Sequence, residues 1–487
     1  MIEPPNIAEQ QQRAPDTRMM PPSFDPDYVH GVIREFLKTA IYQGETPLLP
    51  MIDFALSKEA AIPPHIFGML YDSWKPDTDK EGLSVFLQAY GDRGEHNERK
   101  RIYFSAQTPD LYLPMYSGKV QHFLDRLFDK AHREKPLMHF YFEEYFDLYW
   151  DLHLGVKGRD VPADVRQIGK SFMAVLGYWY PTLQIVHDNY MQVRQLRQKL
   201  KDWIDRHMQD IIDGRMKNSE KTMVHYWVKN GELGPNFRRQ DVVFECFHNF
   251  LAFSQWGNTI YNIMLRLQQT GGDKAVRTWF EKTMKQPDET DQNAFTRLDR
   301  FVMELFRTIS PNAGSYSVLN VREGAFGTGY TGNSGMITPH PESSRNPIHW
   351  KNPNEFDPDR YIQAVTSEQN DHARSKAMGL EKCPFEQHKW PVKDGRKVEI
   401  ANSSFGAVYP RLDGKASPIC DEAGYAPFGF GYRRCAGEFL TVSFIKDFLR
   451  KVWADKISFK KLSLEEPALL PVGPLTVVPD NIGFHQG

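Results

Sequence analysis

The sequence contains few cysteines and no long apolar run. Its four cysteines, Cys246, Cys383, Cys420 and Cys435, lie far apart in a chain of 487 residues and form no C-x-x-C pair. This argues against a disulfide-stapled secreted fold and against a structural zinc site. No run of about 18 apolar residues is present, and the polar, Pro/Gln-rich start lacks the basic-then-apolar order of a signal peptide. We therefore expect a soluble, cytoplasmic protein.

The sequence also lacks an excess of charge of either sign. Lys and Arg together number 60, Asp and Glu number 62, and the formal net charge is −2. This balance gives no electrostatic basis for binding nucleic acid or an anionic membrane surface. Hydrophobic residues make up 40% of the chain and charged residues 25%, which is enough for a sizeable core and argues against a disordered protein.

The first half of the chain divides into a proline-rich start and a long helical part. Six prolines and little periodicity in residues 1–27 predict a flexible N-terminal arm. The pattern is then mostly helical, and its outstanding helix is predicted over 242–269. Asp241 is a suitable N-cap, and Gly271 with Gly272 ends the apolar pattern. At 1.5 Å per residue this helix is about 42 Å long, and its apolar residues lie all around the axis.

The second half alternates between helices and irregular segments. The spacing of apolar residues predicts a helix over 293–309. Residues 314–363 are rich in Gly, Ser, Asn and Pro with short β-like pieces, and 364–421 read as an extended loop insertion. A glycine-rich loop then ends at Cys435 and leads into another amphipathic helix. The predicted fold class is mainly α with a smaller β region, in one large domain of residues 28–487.

The most informative segment runs from Phe428 to Gly437 and reads FGFGYRRCAG. Glycines on both sides of a cysteine let the backbone curl around its sulfur, so that backbone N–H groups point at it. The positive end of the following helix and a nearby arginine further stabilise a thiolate. A thiolate held in this way is a good ligand for iron. The alternative is an ordinary buried cysteine at a helix start.

The spacing in this segment resembles F-x-x-G-x-R-x-C-x-G, the haem-binding loop of the cytochrome P450 family. The matching residues are Phe428, Gly431, Arg433, Cys435 and Gly437. Two further motifs occur in the family's order. Glu304 and Arg307 resemble its E-x-x-R pair, which lies on one helix face. The segment FDPDRY, with Arg360, resembles its P-E-R-F segment, with Asp in place of Glu and Tyr in place of Phe.

The resemblance implies a cytochrome P450-like fold that binds haem b through Cys435. Phe428, Gly431, Arg433 and Gly437 would then contact the cofactor, with Arg433 as a partner of a propionate. Glu304, Arg307 and Arg360 would form a buried cluster that holds the core behind the haem. His96 and Lys100 are spaced like the family's H-x-x-x-R pair for a propionate, with Lys in place of Arg. The alternative for this last pair is a solvated charged helix face.

The long central helix contains the residues expected to face the haem. In the family a glycine, an acid and a threonine there deliver protons to iron-bound oxygen; this chain reads Gln255-Trp256-Gly257-Asn258-Thr259. Thr259 matches the alcohol, whereas Asn258 stands in place of the acid and cannot transfer protons as a carboxyl can. Thr259 and Asn258 are therefore the catalytic candidates. The alternative for Thr259 is a hydrogen bond to its own helix backbone.

The resemblance implies a small hydrophobic substrate and an external source of electrons. Phe250, Phe253, Trp256 and Gly257 could form an aromatic wall with a gap beside the iron, or they could pack the helix into the core. The first function considered is monooxygenation of a small hydrophobic metabolite, with aromatic metabolites among the candidates. The alternatives are oxidative aryl coupling or a peroxide-derived rearrangement, and a haem sensor without turnover. The expected electron donor is a ferredoxin or flavodoxin with its reductase. Two basic patches could bind it: Lys119, Arg126, Lys130 and Arg133, and Arg434, Lys446, Arg450 and Lys451.

Overall fold

The computed structural model describes residues 103, 106–177, 184–230, 238–290, 295–309, 345, 351–362, 427–428, 435, 437–473 and 476–487, and the backbone of five strands outside these ranges. The predictions for residues 1–27, His96, Lys100, Gly431 and Arg433 lie outside the described residues. So do Cys383, Cys420 and, apart from two short strands, the predicted insertion at 364–421. The division into an arm and one large domain therefore stays a prediction.

The described residues are mainly helical, which confirms the predicted fold class. The helices of ten or more residues are α1 (Gly118–Leu127), α2 (Leu137–Leu154), α3 (Ala163–Gly177), α4 (Gln184–Ile212), α5 (Arg239–Leu267), α6 (Lys274–Met284), α7 (Arg297–Thr308) and α8 (Glu438–Ala454). Shorter helical turns are Pro109–Leu111, Tyr112–Ser117, Lys130–His132, Gly158–Asp160, Ser219–Lys221, Met223–His225, Tyr226–Asn230 and Pro358–Tyr361. Among the described helices, none is both long enough and apolar enough to cross a membrane.

The strands within the described chain form small antiparallel sheets. They are β1 (Ala60–Ala61), β2 (Gly314–Val321), β3 (Gly332–Pro339), β4 (Arg411–Leu412), β5 (Lys415–Ala416), β6 (Ile457–Lys461), β7 (Leu469–Gly473), β8 (Thr476–Pro479) and β9 (Ile482–Gln486). The order in the three-stranded sheet is β1-β2-β3, and the two-stranded pairs are β4-β5, β6-β9 and β7-β8. The pair β6-β9 lies beside α5 and α8 through β6, the pair β7-β8 lies beside α5, and both complete the core at the C-terminal end.

Helix α5 is the centre of the described structure, because it packs against α2, α3, α4 and α6 and against the C-terminal strands. Its aromatic residues are buried: Phe250 stacks on Tyr149 with ring centroids 4.2 Å apart, and Phe247 meets Phe172 at 4.2 Å. Each large apolar side chain buried in this way contributes roughly 1.5–3 kcal/mol to folding. The long central helix predicted from the sequence is therefore held on all sides.

Side-chain caps set the ends of the helices more tightly than the apolar pattern does. Helix α5 begins at Arg239, not at residue 242, because Asp241 is its third residue and accepts the Arg238 backbone N–H at 2.7 Å. Helix α7 begins at Arg297 rather than 293. There the Thr296 hydroxyl accepts the Asp299 N–H at 3.1 Å, and the Asp299 carboxylate accepts the Thr296 N–H at 2.9 Å. Thr296 and Asp299 form a capping box, in which two otherwise unsatisfied N–H groups are bound reciprocally. At α5 only the Asp241 carboxylate accepts, because the Arg238 guanidinium has no acceptor, and the Asp241 N–H donates to the Arg238 carbonyl at 2.9 Å.

Candidate functional site around Cys435

Cys435 lies in a tight loop immediately before α8. Its backbone N–H donates to the Phe428 carbonyl at 2.8 Å, which closes the loop upon itself. Phe428 is buried and packs edge-on against Phe306 of α7, with ring centroids 4.9 Å apart. Gly437 is the residue directly before α8, so the sulfur of the half-buried Cys435 lies near the positive end of a 17-residue helix. The N-terminal end of a helix stabilises negative charge placed beside it.

Two polar side chains lie beside the cysteine. A Cβ placed on Gly437 would lie 3.7 Å from Gln107 Oε1, 3.8 Å from Thr441 Oγ1 and 3.9 Å from Cys435 Sγ. An amide and a hydroxyl therefore share one small region with the sulfur, on the side of Gly437 that lacks a side chain. Since both groups can donate hydrogen bonds, this region can hold a negatively charged sulfur.

The central helix reaches this region through Trp256. Its indole N–H donates to Thr441 Oγ1 at 2.8 Å, and its ring is stacked between Phe253 at 4.8 Å and Phe444 at 4.2 Å. Trp256 is only 2% exposed. Phe253 and Trp256, two of the four residues predicted to form a substrate wall, therefore contact each other. Trp256 also contacts the helix that follows Cys435.

The other two predicted wall residues contact neighbouring elements. Phe250 lies against α2 through its stack on Tyr149. A Cβ on Gly257 would lie 2.9 Å from the Tyr141 ring and 3.1 Å from Val472, so the expected gap at this glycine is filled by those two side chains. The substrate wall itself stays a prediction, and its residues also serve as core in the described structure.

Asn258 and Thr259 are both buried on α5 and bond within their own helix. The Thr259 hydroxyl donates to the Gln255 carbonyl at 2.9 Å. Asn258 Oδ1 accepts from Asn262 Nδ2 at 2.8 Å. The Thr259 bond is the usual back-bond of a helical threonine. In this arrangement the Thr259 hydroxyl proton is donated to the helix backbone.

Glu304, Arg307 and Arg360 lie together in one buried cluster. Arg307 donates twice to the Glu304 carboxylate, from Nε at 2.8 Å and from Nη2 at 2.7 Å, and Arg360 Nε donates at 3.1 Å. The Asp357 backbone N–H and the Tyr361 hydroxyl complete the set at 2.9 and 3.1 Å. Glu304 and Arg307 side chains are 0% exposed. Five donors on one buried carboxylate fasten the segment 357–361 to α7.

Most described cations of the two predicted basic patches are paired with acids. Lys119 meets Asp151 at 3.1 Å, and Arg126 meets Glu144 at 2.7 Å. On α8, Lys446, Arg450 and Lys451 pair with Asp299, Asp288 and Asp125, respectively, at 2.5–2.7 Å. Because partner acids neutralise much of this charge, the patches attract an acidic protein less than their sequence suggests.

A buried polar chain that the sequence did not indicate leads away from this site. Tyr103 donates to Asn249 Oδ1, Asn249 Nδ2 donates to His153 Nε2 at 2.9 Å, and His153 Nδ1 donates to the Tyr149 carbonyl at 2.9 Å. Burial lowers the pKa of His153 to about 3 and raises the pKa of Tyr103 well above its ordinary value. His153 is therefore neutral at physiological pH, with its proton on Nδ1.

Sequence reasoning missed Tyr103 and Gln107 as neighbours of Cys435. Tyr103 and Gln107 follow Lys100 by three and seven positions, which is the spacing of one helical face, so the H-x-x-x-K pattern could have been extended to them. Asn249 and His153 had no such signal, since they are 96 positions apart in the chain. Within the described residues, no cluster of three or more His, Cys, Asp or Glu could hold a metal ion.

Comparison with known proteins gives similarity in structure only. No family model matches the sequence, and no curated protein matches it. Solved structures do match. The retinoic acid-bound cyanobacterial CYP120A1 is 16% identical with a TM-score of 0.58, over 91% of this chain and 88% of that chain. The haem domain of cytochrome P450DA is 13% identical with a TM-score of 0.55, over 90% of this chain and 85% of that chain.

A third neighbour, cytochrome P450EX alpha with myristic acid, is 13% identical with a TM-score of 0.54, over 90% of this chain and 87% of that chain. The agreement extends over nearly the whole length of each of these chains. It accords with the described architecture of a long central helix, small C-terminal sheets and a cysteine loop before a helix. The chain therefore has the cytochrome P450 fold.

Proposed function

We propose that this chain is a haem-thiolate oxidoreductase in which Cys435 ligates the iron of haem b. The observation that carries the proposal is the place of Cys435. Its loop is closed by the bond from Cys435 N–H to the Phe428 carbonyl and leads directly into α8, which Trp256 of the central helix contacts in a chain with the cytochrome P450 fold. A thiolate in this position donates electron density to a bound iron.

The residues present fit such a group. One half-buried sulfur lies at a helix N-terminus beside a glycine and two polar side chains, Gln107 and Thr441. Thiolate ligation needs one sulfur and donors that stabilise its charge, and both are available here. The residues proposed to contact the porphyrin and its propionates are Phe428 and Gly437. The family resemblance adds Gly431, Arg433, His96 and Lys100.

The chain itself contributes structure and electrostatics to the proposed reaction. The haem, when bound, supplies the oxidising chemistry, and the chain binds and orients the substrate and excludes water. Most of the described side chains of α5 are buried, and its Trp256 bonds to Thr441 of α8. The Glu304 cluster fixes the segment 357–361 against α7, and Phe428 ties the cysteine loop to the same helix through Phe306.

For the reaction, we propose monooxygenation of a small hydrophobic molecule, with a planar aromatic compound as the first candidate. The aromatic residues of α5 support this choice. Long-chain acids are the second class, because the names of three solved neighbours include retinoic, myristic and arachidonic acid. Titration of the ferric holoprotein with both classes, followed by the Soret band, separates them. A high-spin shift with aromatics alone supports the first class, and a response to fatty acids alone replaces it with the second.

A reaction without oxygen insertion is the second candidate, and the bonding of Thr259 and Asn258 favours it. Thr259 bonds to the backbone and Asn258 carries no carboxyl, so neither is arranged to pass protons to the iron side. A peroxide-derived rearrangement needs no protons delivered to dioxygen, and oxidative aryl coupling inserts no oxygen into its product. Product formed under labelled dioxygen distinguishes the two reactions: oxygen-18 in the product supports monooxygenation, and its absence supports the second candidate.

The source of electrons is proposed to be a ferredoxin or flavodoxin with its reductase. The ion pairs of α8 weaken the basic surface on which such a donor would bind. Turnover with a donor system is therefore compared with turnover driven by hydrogen peroxide alone. Activity that needs only peroxide would replace the protein donor, and substrate-dependent NADPH consumption would count against a sensor without turnover.

A further inference from the structure

A continuous series of aromatic rings runs from α5 through α2 to α4. The ring of Phe253 stacks on Trp256 with centroids 4.8 Å apart and meets Tyr149 edge-on at 5.7 Å. Tyr149 meets Trp150 at 5.1 Å, and Trp150 meets Trp203 at 4.9 Å. These five residues form what we call the aromatic line. Each ring contacts the next one, so the two ends are joined through three helices.

The inner end of the aromatic line is joined to the cysteine segment. The indole N–H of Trp256 donates to the Thr441 hydroxyl at 2.8 Å, and the Thr441 backbone N–H donates to the Gly437 carbonyl at 2.8 Å. Gly437 is two positions after Cys435. Two hydrogen bonds and a short stretch of backbone therefore connect the indole to the proposed iron ligand. Electrons tunnel more readily along such bonded paths than across empty space.

The outer end of the aromatic line lies near the surface. Trp203 on α4 is 5% exposed, whereas Trp150 has no exposed surface. The ring of the partly exposed His207 covers Trp203 at a centroid distance of 4.4 Å, and Asp202 and Arg206 beside it are exposed. The line thus leads from the interior to a polar surface that a water-soluble molecule can approach.

The indoles are the members of the aromatic line that can pass an electron. An indole can lose an electron and keep its N–H proton, whereas a phenol releases its proton when it is oxidised. The Tyr149 hydroxyl donates to the backbone carbonyl of Cys246, which does not take up a proton, and burial raises the pKa of Tyr149 well above its ordinary value. Tyr149 and Phe253 therefore bridge Trp256 and Trp150 without being oxidised themselves.

We propose that the aromatic line conducts electrons from the surface at Trp203 to the haem site and gives the protein a second activity, the peroxide-driven oxidation of a water-soluble one-electron reductant. This inference rests on the proposed function, because the haem ligated by Cys435 is the group that peroxide oxidises. Trp256 gives an electron to the oxidised haem, Trp150 restores Trp256, and Trp203 restores Trp150. The external reductant then restores Trp203. With ferrocyanide, two electrons from two ferrocyanide ions and two protons from solvent reduce one hydrogen peroxide to two water molecules.

The route is tested by peptide mass spectrometry of the ferric holoprotein treated with hydrogen peroxide without ferrocyanide. Loss of two electrons and two protons, with addition of one water molecule, converts the outer indole to hydroxytryptophan, and we expect this product at Trp203. Trp453 of α8 is the internal control, because it is 37% exposed and its ring contacts Phe280 outside the aromatic line. Peroxide that acts from solution would modify Trp453 first.

The matched variants are Trp150→Phe and Trp453→Phe. Trp150→Phe removes the middle indole and keeps an aromatic ring, so we expect it to abolish hydroxytryptophan at Trp203 and to slow peroxide-dependent oxidation of ferrocyanide. Trp453→Phe should change neither. If Trp150→Phe does not fold, Trp203→Phe decides: it should slow ferrocyanide oxidation and leave hydroxytryptophan at Trp150. Unchanged ferrocyanide oxidation in Trp150→Phe, or in Trp203→Phe, overturns the proposal.

The proposed function is read separately from the reduced CO complex of the same preparation. A wild-type protein without the thiolate signature contradicts the assignment of Cys435 as iron ligand, and the inference fails with it. A wild type that has the signature and forms hydroxytryptophan at Trp453 before Trp203 overturns only the inference about the aromatic line.

Discussion

The indole N–H of Trp256 donates to the hydroxyl of Thr441, with 2.8 Å between the two atoms. The bond joins the central helix α5 to α8, the helix that follows Cys435, and the Phe444 ring stacks on the same indole at 4.2 Å. The position of the cysteine loop is therefore tied to the central helix by a hydrogen bond and by a stacked pair of aromatic rings.

Trp256→Phe tests the hydrogen-bond part of this link. Phe preserves an aromatic ring for the stack but removes the donor, and the loss of one buried hydrogen bond is expected to cost about 1 kcal/mol of unfolding free energy. The matched control is Trp150→Phe, since Trp150 is fully buried and its Nε1 has no partner within the described residues. Urea unfolding should show a larger loss for Trp256→Phe; equal losses would contradict a role for the bond.

Arg307→Met tests the buried cluster. It leaves the fully buried Glu304 carboxylate without two of its five hydrogen bonds, and an undercompensated buried charge is expected to cost about 3–5 kcal/mol. Lys282→Met is the control, because its ion pair with Asp359 at 3.2 Å is exposed and contributes under about 1 kcal/mol. Chemical denaturation of both variants gives the comparison. A similar small loss in each would show that the cluster does not fasten segment 357–361.

His153 predicts a pH dependence of stability. Its pKa falls from 6.5 in the unfolded chain to about 3 in the folded protein because of burial, so between these values the unfolded state binds more protons. Its contribution to stability is complete above pH 6.5 and is lost as the pH falls toward 3, with a slope of up to about 1.4 kcal/mol per pH unit. In His153→Gln, unfolding curves across this range should show a weaker pH dependence. An unchanged slope would contradict a neutral, buried His153.

Gly158 predicts a steric effect. A Cβ there would overlap the carboxylate of Asp147, which cannot move freely because Arg126 and Arg166 hold it at 3.3 and 3.1 Å. Gly158→Ala is expected to cost about 1–3 kcal/mol. Gly118→Ala, at the first residue of α1 with no atom within 4 Å of the new Cβ, is expected to be neutral or stabilising. Thermal unfolding that ranks the two in the opposite order would contradict this account.

The sequence predicted those parts of the fold that depend on local patterns. The apolar periodicity indicated α5, α7 and α8, and their core-facing residues, such as Leu298 and Phe301, are buried. The helix ends shifted by a few residues because the Asp241 carboxylate and the capping box of Thr296 decide them, and apolar spacing carries no information about caps.

The site was predictable where one short motif carried it. Cys435 and the pair of Glu304 and Arg307 were each predicted from the spacing of residues within a segment of at most ten residues. The contact of Arg360 with Glu304 joins positions 56 apart, so only the resemblance to a family indicated it. The contact of Trp256 with the helix that follows Cys435 depends on how distant elements pack, and nothing local in the sequence specifies this. The position of Trp256 on its helix indicated a wall residue, but it did not indicate the hydrogen bond to Thr441.

The central claim is that Cys435 supplies the thiolate to a haem iron, and the spectrum of the reduced, CO-bound protein tests it most directly. The wild type is compared with Cys435→Ala and with Cys246→Ala, in which the other described cysteine, buried on α5, is removed. We predict the thiolate–CO signature in the wild type and in Cys246→Ala, and its loss in Cys435→Ala. A signature that persists in Cys435→Ala would contradict the account.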